Sequence, residues 1–257
     1  MINLDDPKGP VMAGIAEARG QEVLGLGRHE DCALRVTGQR YDATGQDLRF
    51  NWQGRPRLAR LNLIGGFQSS NALIAAALVI AGGEDPEATF DTLSRLTGVR
   101  GRMQLAATRA NGATVFVDYA HTPDAVATAL KALRPHVLGR LHVVLGAGGD
   151  RDRGKRVLMG QAAARYAEVV IVTDDNPRNE DPDLIRAMVR QGAPEALDVP
   201  DRAEAILRGV DALEPGDALL VAGKGHETGQ IVGADILPFD DVEQASVAVA
   251  ALDGGVA

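Results

Sequence analysis

The sequence predicts an α/β protein whose second half is built on a mostly parallel sheet. Three observations predict it. From Val115 onward, short apolar runs alternate with helical segments, which implies right-handed crossovers and parallel strands. Val169-Val170-Ile171-Val172 has the β-branched composition of a strand buried on both faces. That run stops at Thr173-Asp174-Asp175, and Asn176-Pro177 breaks the chain into a turn. Arg178 therefore falls in a loop at a strand's carboxyl end, the edge where open α/β sheets bind ligands. Taken alone, the segment reads equally as a plain turn with a solvated arginine.

In chain order, Met1 to Pro7 reads as a strand running into a turn. Gly9 to Arg19 reads as a helix and Val23 to Leu26 as a strand. Arg35 to Arg60 has short alternating pieces, expected as hairpins turning at Gly38, Gly45 and Gly54. Gly65 to Asn71 reads as a polar turn feeding an apolar helix, Ala72 to Ala81, and either holds a nucleotide or caps the helix. Pro86 to Leu96 is a second helix, and Gly98 to Arg102 breaks the pattern. After it, strands are expected at Val115–Asp118, Leu141–Leu145, Val169–Val172 and Ala218–Val221. The intervening helices are Asp124–Leu133, Lys155–Ala167, one beginning at Pro182 behind an Asp181 cap, and Ala203–Leu207. A hairpin over Gln230–Phe239 and a helix over Val242–Leu252 close the chain.

The bulk properties exclude several functions. At 257 residues there is room for one large domain or two small ones. Hydrophobic content of 45% and charged content of 24% are those of an ordinary soluble protein. A net charge of −8 argues against electrostatic binding to nucleic acid or membrane. No apolar run is long enough to span a bilayer, and no basic-then-apolar leader opens the chain. Cys32 is the only cysteine, so no intrachain disulfide forms and a cytoplasmic location is expected. The five histidines are scattered without zinc-ligand spacing, and no metal site is expected.

Four loops at predicted strand ends are rich in chemistry: Asp118 to Asp124, Gly146 to Arg156, Asp175 to Arg178, and Gly223 to Glu227. Gly149 to Lys155 has the spacing G-x-x-x-x-G-K. A phosphate-binding P-loop needs Ser or Thr next, and here Arg156 follows; Asp150 and Asp152 would also repel phosphate. The chain thus carries no such loop. It also lacks a dinucleotide fingerprint, a zincin motif and a serine-hydrolase elbow. His226 reads as a capping or hydrogen-bonded residue. Arg151 and Arg178 can each grip a carboxylate bidentately, and Asp175 and Glu227 can receive an ammonium. Together they suit a ligand with several carboxylates and amines.

VDYAHTPDA, GAGGDRD-x-GKR-x-x-MG, TDDNPR-x-E-x-P and VAGKGHE-x-x-Q, in this order, resemble the C-terminal half of the Mur ligases, most closely the type that adds meso-diaminopimelate. INLDDP-x-G, GGFQSSNALIAA and TGVRGRM extend the resemblance over essentially the whole chain. It implies the tail of a central ATPase domain over residues 1–102 and a Rossmann-like amino-acid-binding domain over 103–257. It implies a cytoplasmic ligase in which ATP phosphorylates a D-glutamate carboxylate and the diaminopimelate amine then attacks the acyl phosphate. Arg151, Asp175, Asn176, Pro177, Arg178, Gly223 and Glu227 correspond to the diaminopimelate pocket. Asn71, Arg102, Asp118 and His121 correspond to residues that meet ATP; Lys155 has no assigned role.

The resemblance implies ATP and Mg2+ as cofactors, and meso-diaminopimelate and a UDP-N-acetylmuramoyl-dipeptide as substrates. No nucleic-acid or membrane partner is expected, and the complete enzyme is expected to be monomeric. The family's first domain and the front of its ATPase domain, with the P-loop and magnesium ligands, have no counterpart here. The expectation is therefore a partial chain, inactive alone; the alternative is a binding module for a diamino dicarboxylic acid. A folylpolyglutamate synthetase relative shares the architecture, but the DNPR and GKGHE pair argues against it. Gln68 and Gln104 are polar departures from the residues common in the family.

Overall fold

The structure, a computed structural model, describes residues 1–254 and divides into two compact units, one over 1–97 and one from Gly98 onward. In the first unit, β1 (Ile2–Asn3) leads through α1 (Gly9–Ala18) to β2 (Gly25–Gly27). Then come β3 (Leu34–Asp42), β4 (Gly45–Trp52), β5 (Arg55–Leu61), α2 (Gly66–Ala81) and α3 (Pro86–Asp91). The strands lie in the order β1-β2-β3-β4-β5, parallel through β3 and antiparallel beyond it. Inward residues Val36, Leu48, Phe50, Trp52 and Leu61 pack with Leu73, Ala76, Ala77, Phe90 and Leu93.

Three expectations for this unit change. Gly38 is not a turn: it sits within β3, where the register slips between Val36 and Gly38 as at a bulge. The segment Gly66 to Asn71 is the first turn and a half of α2, not a turn ahead of it. Its polar residues are held by neighbours rather than by a cap. Gln39 Nε2 donates to Ser69 Oγ at 2.7 Å, and Gln46 Nε2 donates to the Gly65 carbonyl at 2.9 Å. The helix over Pro86–Leu96 is likewise split: α3 stops at Asp91, and a separate 3-10 turn spans Leu93–Arg95.

The second unit begins at Gly98, ahead of the expected boundary after Arg102. The reason is local bonding. The Gly101 N–H donates to Gln104 Oε1 at 2.8 Å, and the Met103 N–H donates to the Asp118 carboxylate at 2.7 Å. The elements are β6 (Gln104–Thr108), β7 (Thr114–Asp118), α4 (Pro123–Leu133), β8 (Leu141–Leu145), α5 (Gly154–Tyr166) and β9 (Val169–Val172). They continue with α6 (Pro182–Gly192), β10 (Leu197–Asp198), α7 (Arg202–Asp211), β11 (Ala218–Ala222), β12 (Gly229–Val232), β13 (Asp235–Pro238) and α8 (Asp241–Leu252).

The sheet order is β10-β9-β8-β11-β7-β6, all parallel except β6 at the edge. The strand starting near residue 104 and the short β10 were not expected from sequence. Helix starts follow their caps. Thr122, Asp181, Asp201 and Asp240 each accept a backbone N–H from the first turn, and Pro123 and Pro182 need no donor there. Right-handed crossovers put α4, α5 and α6 on one face and α7 on the other. Val117, Val221, Val144 and Ile171 form a buried row in the core with Ala205, Ile206, Ala245 and Val249 of α7 and α8.

Under the sheet end lies a fully buried ion pair. Arg202 Nε and Nη2 each donate to the Asp241 carboxylate at 2.8 Å, and Nη2 also donates to the Ala222 carbonyl at 3.0 Å. It ties the starts of α7 and α8 to the end of β11. Asp241→Ala leaves a buried guanidinium unpaired, which should lower stability by about 3–5 kcal/mol in urea unfolding followed by circular dichroism. A loss below about 1 kcal/mol, the range of an exposed pair, would contradict this role.

Candidate amino-acid site at the carboxyl edge of the sheet

The four loops singled out in the sequence do converge. Asp118 is in register with Ala222, Ala222 with Leu145, and Leu145 with Val172. The chain leaves β8 toward α5 on one face and leaves β11 toward α8 on the other. A crevice between their carboxyl ends follows from that divergence. There a cleft of about 250 Å³ is lined by Tyr119, His121, Gly148, Arg151, Lys155, Asp175, Asn176, Arg178, Gly223 and Glu227.

The loop after β9 is held from two sides. On one side is the loop after β8. The Gly149 N–H donates to the Asn176 carbonyl at 2.8 Å, and a Cβ on Gly149 would lie 1.9 Å from the Pro177 oxygen, so only glycine permits the approach. Glu180 accepts the Asp150 N–H at 2.6 Å, Arg156 Nη2 at 2.8 Å and Nη1 at 3.1 Å, with Arg153 Nη2 at 2.9 Å. Arg156 is almost fully buried, and its charge is met by this one carboxylate and the Gly148 carbonyl. The same contacts commit the Gly149 and Asp150 N–H groups of the G-x-x-x-x-G-K stretch to partners within the protein.

On the other side is the β12–β13 hairpin. The Arg178 N–H donates to the Ile231 carbonyl at 3.0 Å, and the Gly233 N–H donates to the Arg178 carbonyl at 2.7 Å. Those bonds hold Arg178 at a φ of +51°, an uncommon angle for a residue with a side chain and one that marks functional strain elsewhere. Its guanidinium lies over the loop after β8, with Nη1 donating to the Gly149 carbonyl at 2.9 Å. The Asn176 amide is buried; Nδ2 donates to Glu227 Oε2 at 3.0 Å, while Oδ1 accepts the Ile231 N–H at 2.9 Å and Lys224 Nζ at 2.8 Å.

Each pocket residue expected from sequence therefore lines or braces one cleft. Arg151 is exposed at its mouth, and Arg178 is half-buried. Pro177 is buried, and its carbonyl accepts the Glu180 N–H at 3.1 Å. Gly223 has a φ of +123°, and a Cβ there would meet Asp175 Oδ2 at 2.7 Å. The two carboxylates are not equivalent. Asp175 is buried with Lys224 Nζ 3.5 Å away, whereas the Glu227 side chain keeps about a third of its surface and is the accessible acceptor.

Asp118, Arg102 and His121 form a second cluster around Tyr119. The Arg102 guanidinium stands 4.7 Å from the Tyr119 ring centre, and the rings of His121 and His226 stand 4.5 and 5.1 Å from it. Burial raises the Asp118 pKa, against the N–H groups of Met103 and Ala120. Lys155 Nζ donates to the His121 carbonyl at 3.0 Å, and burial lowers its pKa. Asn71 belongs to the first unit, exposed on α2, where its amide donates to Gln68 Oε1 at 3.3 Å. Lys224, Glu180 and Arg156 carry no sequence signal that singles them out, although all three stand inside the motifs that mark these loops. Among the described residues no group of three or more His, Cys, Asp or Glu side chains could hold a metal ion, and no helix is long and apolar enough to cross a membrane.

This fold and this rim define a class. Residues 101–225 match the Mur ligase, glutamate ligase domain. The chain belongs to the Mur ligase family. It is 50% identical over 238 residues to the UDP-N-acetylmuramoyl-L-alanyl-D-glutamate--2,6-diaminopimelate ligase of Bradyrhizobium diazoefficiens, covering 91% of this chain and 49% of that protein. The ligase of the same name from Zymomonas mobilis is 48% identical over 253 residues, covering 97% and 52%. A solved structure of such a ligase, 36% identical, aligns over 97% of this chain and 52% of its own with a TM-score of 0.76. The chain thus spans about half the length of the curated relatives that it matches.

Glu180 carries a pH signature. Arg156 and the Asp150 N–H hold its pKa down to about 2, from an ordinary 4.5. A depressed carboxylate contributes stability that is full above 4.5 and is lost as pH falls through about 2. Between those values wild-type stability should fall more steeply than that of Glu180→Gln in urea titrations at successive pH. Parallel curves for the two proteins would contradict the assignment.

Proposed function

We propose that the chain supplies the amino-acid-accepting part of an ATP-dependent ligase that joins meso-diaminopimelate to UDP-N-acetylmuramoyl-L-alanyl-D-glutamate. The observation that carries this reading is the pairing of a half-buried Arg178 guanidinium with an accessible Glu227 carboxylate across one cleft. Meso-diaminopimelate has an amine and a carboxylate at each end. When one amine attacks, the far end still presents an ammonium and a carboxylate to be held. Glu227 receives the ammonium, with Asp175 behind it as buried negative charge. Arg178 receives the carboxylate by a charge-assisted fork, and Arg151 at the mouth takes the other.

Asn176, Pro177 and Gly223 act through backbone and amide positions that keep those groups in place. The name shared by the Bradyrhizobium and Zymomonas relatives supports the choice of diaminopimelate over other diamino acids. Arg102, Asp118 and His121 suit the nucleotide: an exposed guanidinium over an aromatic ring favours an anionic, planar-based ligand. ATP supplies the phosphoryl group that turns the substrate carboxylate into an acyl donor. The magnesium implied by the resemblance has no donor set among the described residues, so no step is assigned to it. The contribution of this chain is placement of the nucleophile's far end, with selection at a charged terminus.

Lysine tests that selection because it lacks the distal carboxylate and leaves Arg178 unpaired. Titration calorimetry should show meso-diaminopimelate binding at least about tenfold tighter than L-lysine, a difference of roughly 1.4 kcal/mol. Arg178→Ala should abolish that preference while leaving nucleotide binding unchanged. Equal affinity for the two amino acids in the wild type, or no binding of either, would overturn the proposal.

A further inference from the structure

Lys224 is the one fully buried lysine at this rim, and the pocket described above does not use it as a ligand contact. Its ammonium faces four acceptors. Nζ donates to Asn176 Oδ1 at 2.8 Å and to the Gly229 carbonyl at 2.8 Å. Asp175 Oδ1 lies 3.5 Å away and Glu227 Oε2 3.9 Å away. Burial pushes the ammonium's pKa down, while Asp175 and Glu227 work against that and Arg202 adds to it.

Burying an ammonium is costly unless its hydrogen bonds are made, so this residue is a strong constraint on whatever accepts from it. What accepts from it is the side chain whose orientation matters most. An Asn amide can sit either way round, and only its donors and acceptors decide which. Here Oδ1 receives two donors, Lys224 Nζ and the Ile231 N–H, and Nδ2 faces the Glu227 carboxylate. Turning the amide over would set NH2 against two donors and oxygen against a carboxylate.

From this geometry we infer that Lys224 is the positioning residue of the amino-acid pocket: it fixes the Asn176 amide so that Nδ2 holds the Glu227 carboxylate toward the ligand's ammonium. The Gly229 contact extends the same role to the entry of β12, where Ile231 and, just past the strand, Gly233 clasp the Arg178 backbone. One buried ammonium thus sets both the acidic and the basic contact of the site. The inference rests on the proposed diaminopimelate reading for its ligand, but the amide orientation does not depend on any ligand.

The test uses the full chain and two variants, Lys224→Met, which keeps the stem and removes the donor, and Lys224→Gln, which keeps polarity at shorter reach. In the ligand-free wild type, NMR should show two distinct, protected proton signals for the Asn176 side-chain amide. They should shift and lose protection in both variants while the strand amides of β8 and β11 keep theirs. Unchanged Asn176 signals would overturn the inference, whatever the ligand turns out to be. Loss of the folded spectrum in both variants would also overturn it, by assigning Lys224 to fold stability alone.

Calorimetry with meso-diaminopimelate then adds a double-mutant cycle. Lys224→Met and Asn176→Ala should each weaken binding at least about tenfold, and the double variant no further than Asn176→Ala alone, because Lys224 acts through Asn176. Additive losses would overturn the positioning role. A wild type that binds no diaminopimelate, with the NMR result as expected, would instead sink the ligand assignment and leave the amide lock standing.

Discussion

The candidate site depends on one constraint, the common register of four parallel strands. Asp118, Ala222, Leu145 and Val172 end level with one another across β7, β11, β8 and β9. Level ends bring four loops from four distant stretches of sequence onto one rim. The apolar row beneath them sets that register, because a slip of one residue would turn Val117, Val221, Val144 and Ile171 away from α7 and α8. The chemistry above is thus placed by packing below, and no loop has to find its position alone.

The rim is then tightened by buried charge. Arg202 with Asp241 fastens the end of β11, Arg156 with Glu180 fastens the loop after β8 to the loop after β9, and Lys224 with Asn176 fastens the loops after β9 and β11. In each case a buried cation is met by a geometry with little freedom. Buried ion pairs are poor sources of net stability, but breaking one is expensive. They suit a site that must hold ligand groups within a few tenths of an ångström, which is a requirement for selecting between amino acids that differ at one terminus.

Much of this was legible in the sequence because parallel strands advertise themselves. The strands at 115–118, 141–145, 169–172 and 218–221 are short, mostly β-branched or aliphatic runs, broken within only by Phe116 and His142, and Gly, Asp or Asn-Pro follows closely at each end. β6 was not legible: Gln-Leu-Ala-Ala-Thr alternates weakly, lies at an edge, and slips register beside β7. Nor was the early start of α2. Gly-Gly and Ser-Ser look like a turn, and only tertiary partners, Gln39 and Gln46 on β3 and β4, make them helical. In the site, residue types that bind carboxylates and amines stood out by spacing. Lys224, Glu180 and Arg156 did not, because their meaning lies in burial and in partners distant in sequence, such as Asn176 and Asp175 for Lys224. No one-dimensional signal separates a buried lysine from a solvated one.

The central claim is that the four strand-end loops form one amino-acid site selective for a second carboxylate. NMR titration of the isotope-labelled chain with meso-diaminopimelate tests it most directly. The account predicts amide shifts confined to residues 118–121, 146–155, 173–178 and 223–231, with the Arg178 guanidinium signal moving and L-lysine leaving that signal in place. Shifts centred elsewhere in the chain, or an Arg178 response to lysine equal to that for diaminopimelate, would contradict it.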